Sequence, residues 1–564
     1  MPECRALPLS ARVLFAAASL ALPLQPTAAE NAAPFDLSGP TLRISVTRGE
    51  ATLPIAQVPS LAEGDRISIT ADLPADQDAH FLMLSAFLRG ATNPPPKKWI
   101  NTAETWKPRE KDNRLSLVIP KGARQLVLFL VPEAGGVAGA ISSAVRNRPG
   151  EFVRATQELN QASLDRARLN TFMTAISTQG NTHPEVLRTV APRLARSLSM
   201  KLNEECLSRV VELQASCLLE KSDSLVLGDM HSSSMAETLA GAPTELALQL
   251  SSTREGGEGY YSPYIGVVRD IARIFGAFGN PDLDYLPALG MRDGDGLSLL
   301  LNRAPSFGKP KSVLVSALSA IEGDSPPKLR RAVDTPLCAT RPDLSLPVDG
   351  APLIYATAYS RNMVLTLSMA DGKSVDLPVA ARADQGGYVF TGDRPSGLTG
   401  SIKGRLHGNW GFRRFDGPEF TLQFPGTEAP VLDEGNAVLL TGADQTIMID
   451  GVVPACIDSI TLNTGQPPAR RRSKAKPKTL PWTAVEGEDG IALPLPLKNA
   501  KPGPMTLEFR YFGVADPVKM ELTIEDPAPV VPAASPVPGA PPLPANPSPP
   551  LASPPQAPER PPER

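Results

Sequence analysis

The chain has 564 residues, 42% of them apolar and 20% charged, with a formal net charge of -3. A balance this close to neutral excludes a whole-protein attraction to nucleic acid or to an anionic membrane. At roughly 100–200 residues per domain the length asks for three or four domains, and 61 Pro with 44 Gly predict many turns and few long helices.

The N-terminus carries the most specific signal. Arg5 and Arg12 precede an apolar run over 13–24, and Thr27, Ala28 and Ala29 offer small residues for cleavage. Residues 1–29 therefore read as a secretory signal peptide. The run is short of the roughly 20 residues that a membrane span needs. No later stretch is long and apolar enough to cross, so the expected location is the periplasm, the cell surface or the medium. Cys4 leaves with the signal, and Cys206, Cys217, Cys338 and Cys456 remain. An even number suits an oxidising compartment, and four cysteines allow three pairings. An unbroken helix over 203–220 would hold Cys206 and Cys217 about 16 Å apart along its axis. That is beyond the roughly 6.8 Å limit between bridged Cα atoms. A break in the helix would permit the bridge, and Cys338 with Cys456 would then tie two C-terminal modules together. None of the four has the CxxC spacing of a zinc or thioredoxin-like site.

Residues 40–134 alternate apolar and polar in several short runs, bounded by Gly and Pro. That is the pattern of a β-sandwich-like module. A long polar excursion over 92–113 interrupts it. From 135 the period changes. Apolar spacing predicts helices over 151–177, 185–200, 204–219, 235–250 and 264–278, with Pro192 kinking or splitting the second. A hairpin of 297–301 with 312–318 is expected to close this mostly helical domain at 330. Strand patterns return over 336–430, including 353–359. Short strands spaced by about ten residues over 431–526 suggest an immunoglobulin-like sandwich. Residues 527–564 are rich in Pro, Ala and Ser, and this tail is expected to stay extended and disordered. The fold class read here is multi-domain α+β: antiparallel β-sandwich modules, immunoglobulin-like at the C-terminal side, flanking a mostly helical middle domain.

Five stretches invite chemistry. Asp229 and His231 beside Ser232–Ser234 hold the ingredients of a nucleophilic triad, yet a triad is built from residues distant in sequence. The same serines suit a helix N-cap. Tyr260, Tyr261 and Tyr264 in a Gly-rich loop offer flat faces for sugars or aromatic ligands. Asp282, Asp284, Asp293 and Asp295 recur near Gly, as calcium loops do, but hairpin turns use the same residues. Arg470, Arg471 and Arg472, followed by three lysines, form a basic loop able to meet an anionic polymer. Trp410, Phe412 and Phe415 alternate with Gly, and core packing is the simpler role for them. With no complete catalytic motif, the chain is read as an exported, non-enzymatic binding or scaffolding protein of the bacterial cell envelope. Its partner would be an envelope protein or a polysaccharide. The alternative is an envelope hydrolase built around His231 and the Tyr260–Tyr264 loop. No cofactor, metal or nucleic-acid partner is expected.

Overall fold

The computed structural model describes residues 35–527, apart from 73–79, 108, 110–112, 133–136, 221–225, 229–260, 264–281, 323–324, 394, 396, 427, 434–437, 464–478 and 486–488. Strand outweighs helix among the described residues, and the longer helices gather between 137 and 220.

The first module supplies β1 (Leu37–Arg48), β2 (Ala51–Pro54), β3 (Arg66–Asp72), β4 (Phe81–Leu88), β5 (Ile100–Glu104), β6 (Leu115–Val118) and β7 (Gln125–Pro132). The polar excursion is thus partly strand: β5 lies inside it, and Trp99 just before β5 is buried against Phe87. Three later strands, β11 (Leu283–Asp293), β12 (Gly296–Leu301) and β13 (Lys311–Ala317), complete the sheet. Its order is β5-β4-β7-β13-β11-β12-β1-β3-β6, with β2 on β1. The hairpin expected between 297–301 and 312–318 is therefore not formed. β12 pairs with β11 and β1, while β13 pairs parallel to β11 and antiparallel to β7. The physical reason is that β13 is buried on both faces, which requires a central place in a covered sheet. The acidic stretch at 293–296 is the turn between β11 and β12, with Gly294 at a φ of 52°.

This sheet curls until β5 and β6 approach. Leu126, Leu128 and Leu130 of β7 face its interior, together with Ile44 of β1 and Ile67 of β3. Val127, Phe129 and Val131 face the other way, under the helices.

The helices are α1 (Val137–Asn147), α2 (Pro149–Thr182), α3 (Leu187–Ser197), α4 (Glu204–Leu207) and α5 (Val211–Glu220). Pro149 starts α2, where a missing N–H costs nothing. α2 buries Phe152, Leu159, Leu169 and Phe172 on the sheet. Pro192 does not split α3, which runs through it. Pro192 and Arg188 are both exposed, so water can serve the carbonyl that proline leaves without a donor. The 203–220 segment does break, between α4 and α5, and Cys206 bonds Cys217 across a Cα separation of 5.5 Å. Between α3 and β11 in the sequence lie β8 (Met200–Lys201), β9 (Val226–Gly228) and β10 (Tyr261–Pro263), which form a small separate sheet. The helices expected over 235–250 and 264–278 lie outside the described residues.

The next module contains β14 (Arg330–Arg331), β15 (Leu337–Cys338), β16 (Ser345–Asp349), β17 (Ser360–Ser368), β18 (Ser374–Arg382), β19 (Gly387–Phe390), β20 (Gly400–Trp410) and β21 (Arg413–Phe424). They form one sheet in the order β14-β16-β19-β18-β17-β20-β21-β15, curled so that β14 comes near β21. The strand expected over 353–359 is instead a short helix, α6 (Leu353–Ala356). Pro352 enters it with helical φ and ψ, and the Thr357 hydroxyl donates to the Leu353 carbonyl at 2.6 Å.

The last module holds β22 (Val431–Leu432), β23 (Leu439–Leu440), β24 (Gln445–Asp450), β25 (Ile457–Asn463), β26 (Thr483–Ala484), β27 (Gly490–Leu495), β28 (Gly503–Tyr511) and β29 (Val518–Glu525). Two four-stranded sheets, β22-β24-β27-β26 and β23-β29-β28-β25, close on one core around Ile447, Leu493, Leu507 and Phe509. This is a sandwich.

The modules are joined by specific contacts. The turn after β20 puts Phe412 on the first module, with the Arg48 guanidinium 4.6 Å from its ring. Phe412 thus leaves the core that Trp410 and Phe415 enter. The third and fourth modules share the Cys338–Cys456 disulfide, which spans 118 residues of sequence. Gly513 packs against Thr340 there. Its φ is 72°, and a Cβ would stand 2.3 Å from the Thr340 carbonyl oxygen.

Candidate functional site

A cleft of about 1320 Å³ opens where three parts of the chain meet. α3 forms one wall. The outer surface of the eight-stranded sheet, with its seam at 332–338, forms the floor. The sandwich, through Pro454, Ala455 and the segment from Trp482 to Val485, forms the other wall. The burial periods explain why these residues face outward. Leu406 and Leu422 point into the module core, so Ser401, Lys403, Thr421 and Gln423 lie on the opposite face.

The floor is fastened to the sandwich by one amide. Gln423 is buried, and its Nε2 donates to Ser401 Oγ at 3.1 Å and to Asp489 Oδ1 at 3.3 Å. Its Oε1 accepts from the Ala455 N–H at 2.8 Å. The Cys338–Cys456 disulfide lies beside it, with Cys338 in the cleft lining. Thr340 adds a bond from its hydroxyl to the Phe512 carbonyl at 2.6 Å. Three of these polar links and one covalent bond thus join floor to wall.

The lining carries four cations, Arg193, Arg196, Arg341 and Lys403, and four carboxylates, Asp334, Asp343, Asp349 and Asp489. Asp334 is held by Arg331 at 2.9 Å, Asp343 by Arg341 at 3.3 Å, and Lys403 faces Glu419 at 3.7 Å. Arg193 and Arg196 stand one turn apart on α3, both exposed and both lining the cleft. Neither makes an ion pair with another described residue. Much of the remaining lining is apolar, including Val333, Pro336, Leu344, Pro347 and Trp482. Trp482 is half-buried, packing on the sandwich core.

A smaller cavity, about 510 Å³, lies between α2 and the 381–384 stretch, with Arg292 and Tyr355 in its lining. Burial pushes the Tyr355 phenol well above the usual tyrosine range.

Of the residues singled out from the sequence, Asp229, His231, Tyr260, Tyr264, Arg470, Arg471 and Arg472 lie outside the described residues. Tyr261 is in β10, its backbone paired with Gly228 of β9. Cys206, Cys217, Cys338 and Cys456 form the two disulfides. Asp284 pairs with Arg303 at 2.8 Å. The cleft residues Arg193, Arg196, Gln423, Trp482 and Asp489 were not legible as a site. The chain's four tryptophans offered one available signal, since Trp482 sits outside any strong strand or helix pattern.

No family model and no curated protein matches the sequence. Among solved structures, the Bacteroides ovatus mixed-linkage glucan utilization locus protein SGBP-B, in complex with a heptasaccharide, is similar at 16% identity and a TM-score of 0.14. That match covers 40% of this chain and 52% of the other. The N-terminal eight Ig domains of the Down syndrome cell adhesion molecule are similar at 9% identity and a TM-score of 0.13, over 42% and 33% of the two chains. Domains 4 and 5 of the S-layer protein SbsC are similar at 9% identity and a TM-score of 0.14, over 36% and 98%. The match spans about half the length of the glucan-locus protein and a third of the adhesion molecule. Likeness at these TM-scores decides nothing about this chain, whose own residues have to carry the reading.

Proposed function

We propose that this chain is an exported, non-catalytic binding and scaffolding protein that seats a partner in the cleft between α3, the eight-stranded sheet and the sandwich. The observation that carries the reading is the fixed cleft itself. Its walls come from separate modules, yet a disulfide and the Gln423 bonds hold them before any partner arrives. Preorganisation of this kind removes part of the ordering cost of association. Export is supported by the leader pattern over 1–29 and by two disulfides, which persist in oxidising compartments. No helix of the described residues is long and apolar enough to cross a membrane.

The test places a photo-crosslinking side chain at either of two exposed positions in the full chain, expressed with its leader. Val333 lies in the cleft floor, and Phe307 lies on the first module outside the cleft. One dominant adduct from position 333, formed outside the cytoplasm and depleted by Trp482→Ala, is the expected result. Equal adducts from both positions, or none from 333, would end the reading.

A further inference from the structure

We infer that the occupant of the cleft is an extended polypeptide segment bearing carboxylates, added as a strand to the open edge of β26 with its acidic side chains on Arg193 and Arg196. The inference rests on the reading of the cleft as the partner site, and names its ligand.

The backbone supplies the first argument. Among the described residues β26 is an edge strand, paired with β27 alone. Val485 donates its N–H to the Gly490 carbonyl at 3.1 Å. In an antiparallel ladder, residues alternate between bonding the neighbour and facing away from it. Ala484, opposite Ile491, therefore turns its own N–H and carbonyl away from β27, and Ala484 lines the cleft. An exposed edge amide beside a groove is the element that strand addition uses. The edge is only two residues long. Backbone pairing alone would therefore give little affinity, and side chains must supply the rest.

Charge and shape supply the second argument. Arg193 and Arg196 are the cleft cations without an ionic partner among the described residues. A guanidinium meets a carboxylate through two parallel bonds, so a pair one turn apart favours a ligand with spaced carboxylates. A strand alternates its side chains between two faces. One face of the added segment would then reach α3 while the other lies on Trp482, Pro336 and Pro347. A volume of about 1320 Å³ exceeds the usual small-molecule pocket and suits several residues of extended chain. An anionic polysaccharide would use the arginines equally well. It carries no peptide ladder to pair with both the N–H and the carbonyl of Ala484.

Random dodecapeptides displayed on phage, selected on the purified exported chain, test this, with polyguluronate as the anionic glycan arm. Enriched peptides are expected to carry at least two carboxylates at alternate positions. Synthetic copies should shift the fluorescence that Trp482→Phe removes. Arg193→Ala with Arg196→Ala should weaken them about tenfold or more, and raised salt should do the same. Ala484→Pro removes the outward N–H without touching a β27 bond, since proline is tolerated on edges, and should weaken them about tenfold. N-methylation of alternate peptide residues gives the same readout from the ligand side, should that variant misfold. Selection without acidic enrichment, or binding indifferent to both Ala484→Pro and N-methylation, overturns strand addition. Polyguluronate binding that depends on Trp482, with no peptide selected, overturns the polypeptide but keeps the cleft. Binding of any probe that ignores Trp482→Ala and the arginine variants overturns both.

Discussion

The two large sheets of this molecule are used in opposite ways. In the first, every residue of β4 and β7 is buried. One side of these strands lines the interior of the curled sheet and the other lies beneath α1 and α2. In the eight-stranded sheet, β17 and β20 bury alternate residues and leave the rest to solvent. The first sheet has no face left in its central strands for a partner. The second keeps a polar outer face, and that face floors the cleft. Continuous apolar strands mark support in this chain, and alternating strands mark available surface.

The comparison breaks if β7 tolerates truncation on either side. Phe129→Ala removes a ring that meets Phe152 edge-on at 5.7 Å, and Leu128→Ala empties the opposite face. Each is expected to lower unfolding stability by about 4 kcal/mol. On β17 the cost should be one-sided. Leu365→Ala should cost about 3 kcal/mol, while Thr366→Ala, on the outer face, should stay below about 1 kcal/mol. Denaturant unfolding followed by circular dichroism measures all four. A cheap Leu128→Ala would mean that β7 is not packed on both sides.

The next effect in size concerns how the second sheet is held to its neighbour. Replacing Cys338 and Cys456 together by Ala should lower stability by about 3 kcal/mol, because the bond closes a long loop. The same double change at Cys206 and Cys217, 11 residues apart, should cost less, by about 2 kcal/mol on loop length alone. Calorimetry on both variants orders them. If the local bridge proved the costlier, the modules would be held chiefly by their other contacts. Gln423→Leu is smaller again. It strands the Ala455 N–H and leaves Asp489 Oδ1 with the Ser401 hydroxyl alone, and about 2 kcal/mol is expected. Its sharper readout is loss of ligand affinity in the cleft at unchanged stability of the first module.

The sequence made part of this legible. Period-two runs placed most strands, and helical spacing found α2 because its apolar stripe is long. The break between α4 and α5 could be posed as a condition for the Cys206–Cys217 bridge, though not decided. What failed was pairing. The segments 297–301 and 312–318 are strands, as their apolar character says, but each joins a sheet that begins at residue 37, 260 residues before the first of them. Local spacing carries no information about such distant neighbours. The 353–359 error has a local cause, since Pro352 starts a helical turn that the apolar content of Leu353, Ile354 and Tyr355 cannot reveal. The cleft was illegible for the first reason. Arg196, Gln423 and Trp482 belong to three modules, and only the docking of those modules makes them neighbours.

The smallest effect at neutral pH becomes visible in alkali, and it tests whether the cores on both sides of the comparison are dry. Tyr285 packs under α2 in the first module, Tyr388 lies inside the eight-stranded sheet, and Tyr511 is in the sandwich core. Burial pushes each phenol up to about 12. At Tyr388 a contact with the Ser360 hydroxyl at 3.1 Å opposes the rise. The protonated phenol is the neutral form, so burial favours it and the folded value lies above the unfolded value of about 10. The stability linked to these groups is therefore complete below about pH 10 and is lost as pH rises toward 12. Absorbance at the phenolate band should show these three phenols ionising above the free-tyrosine value of about 10, and only as the modules open. Tyr388→Phe should remove one late proton and delay alkaline unfolding of its module, leaving the transitions of the other two in place. If Tyr388 ionised near the free-tyrosine value of about 10 while the fold persisted, water would have to reach the interior of the eight-stranded sheet, and the contrast between its dry core and wet outer face would fall.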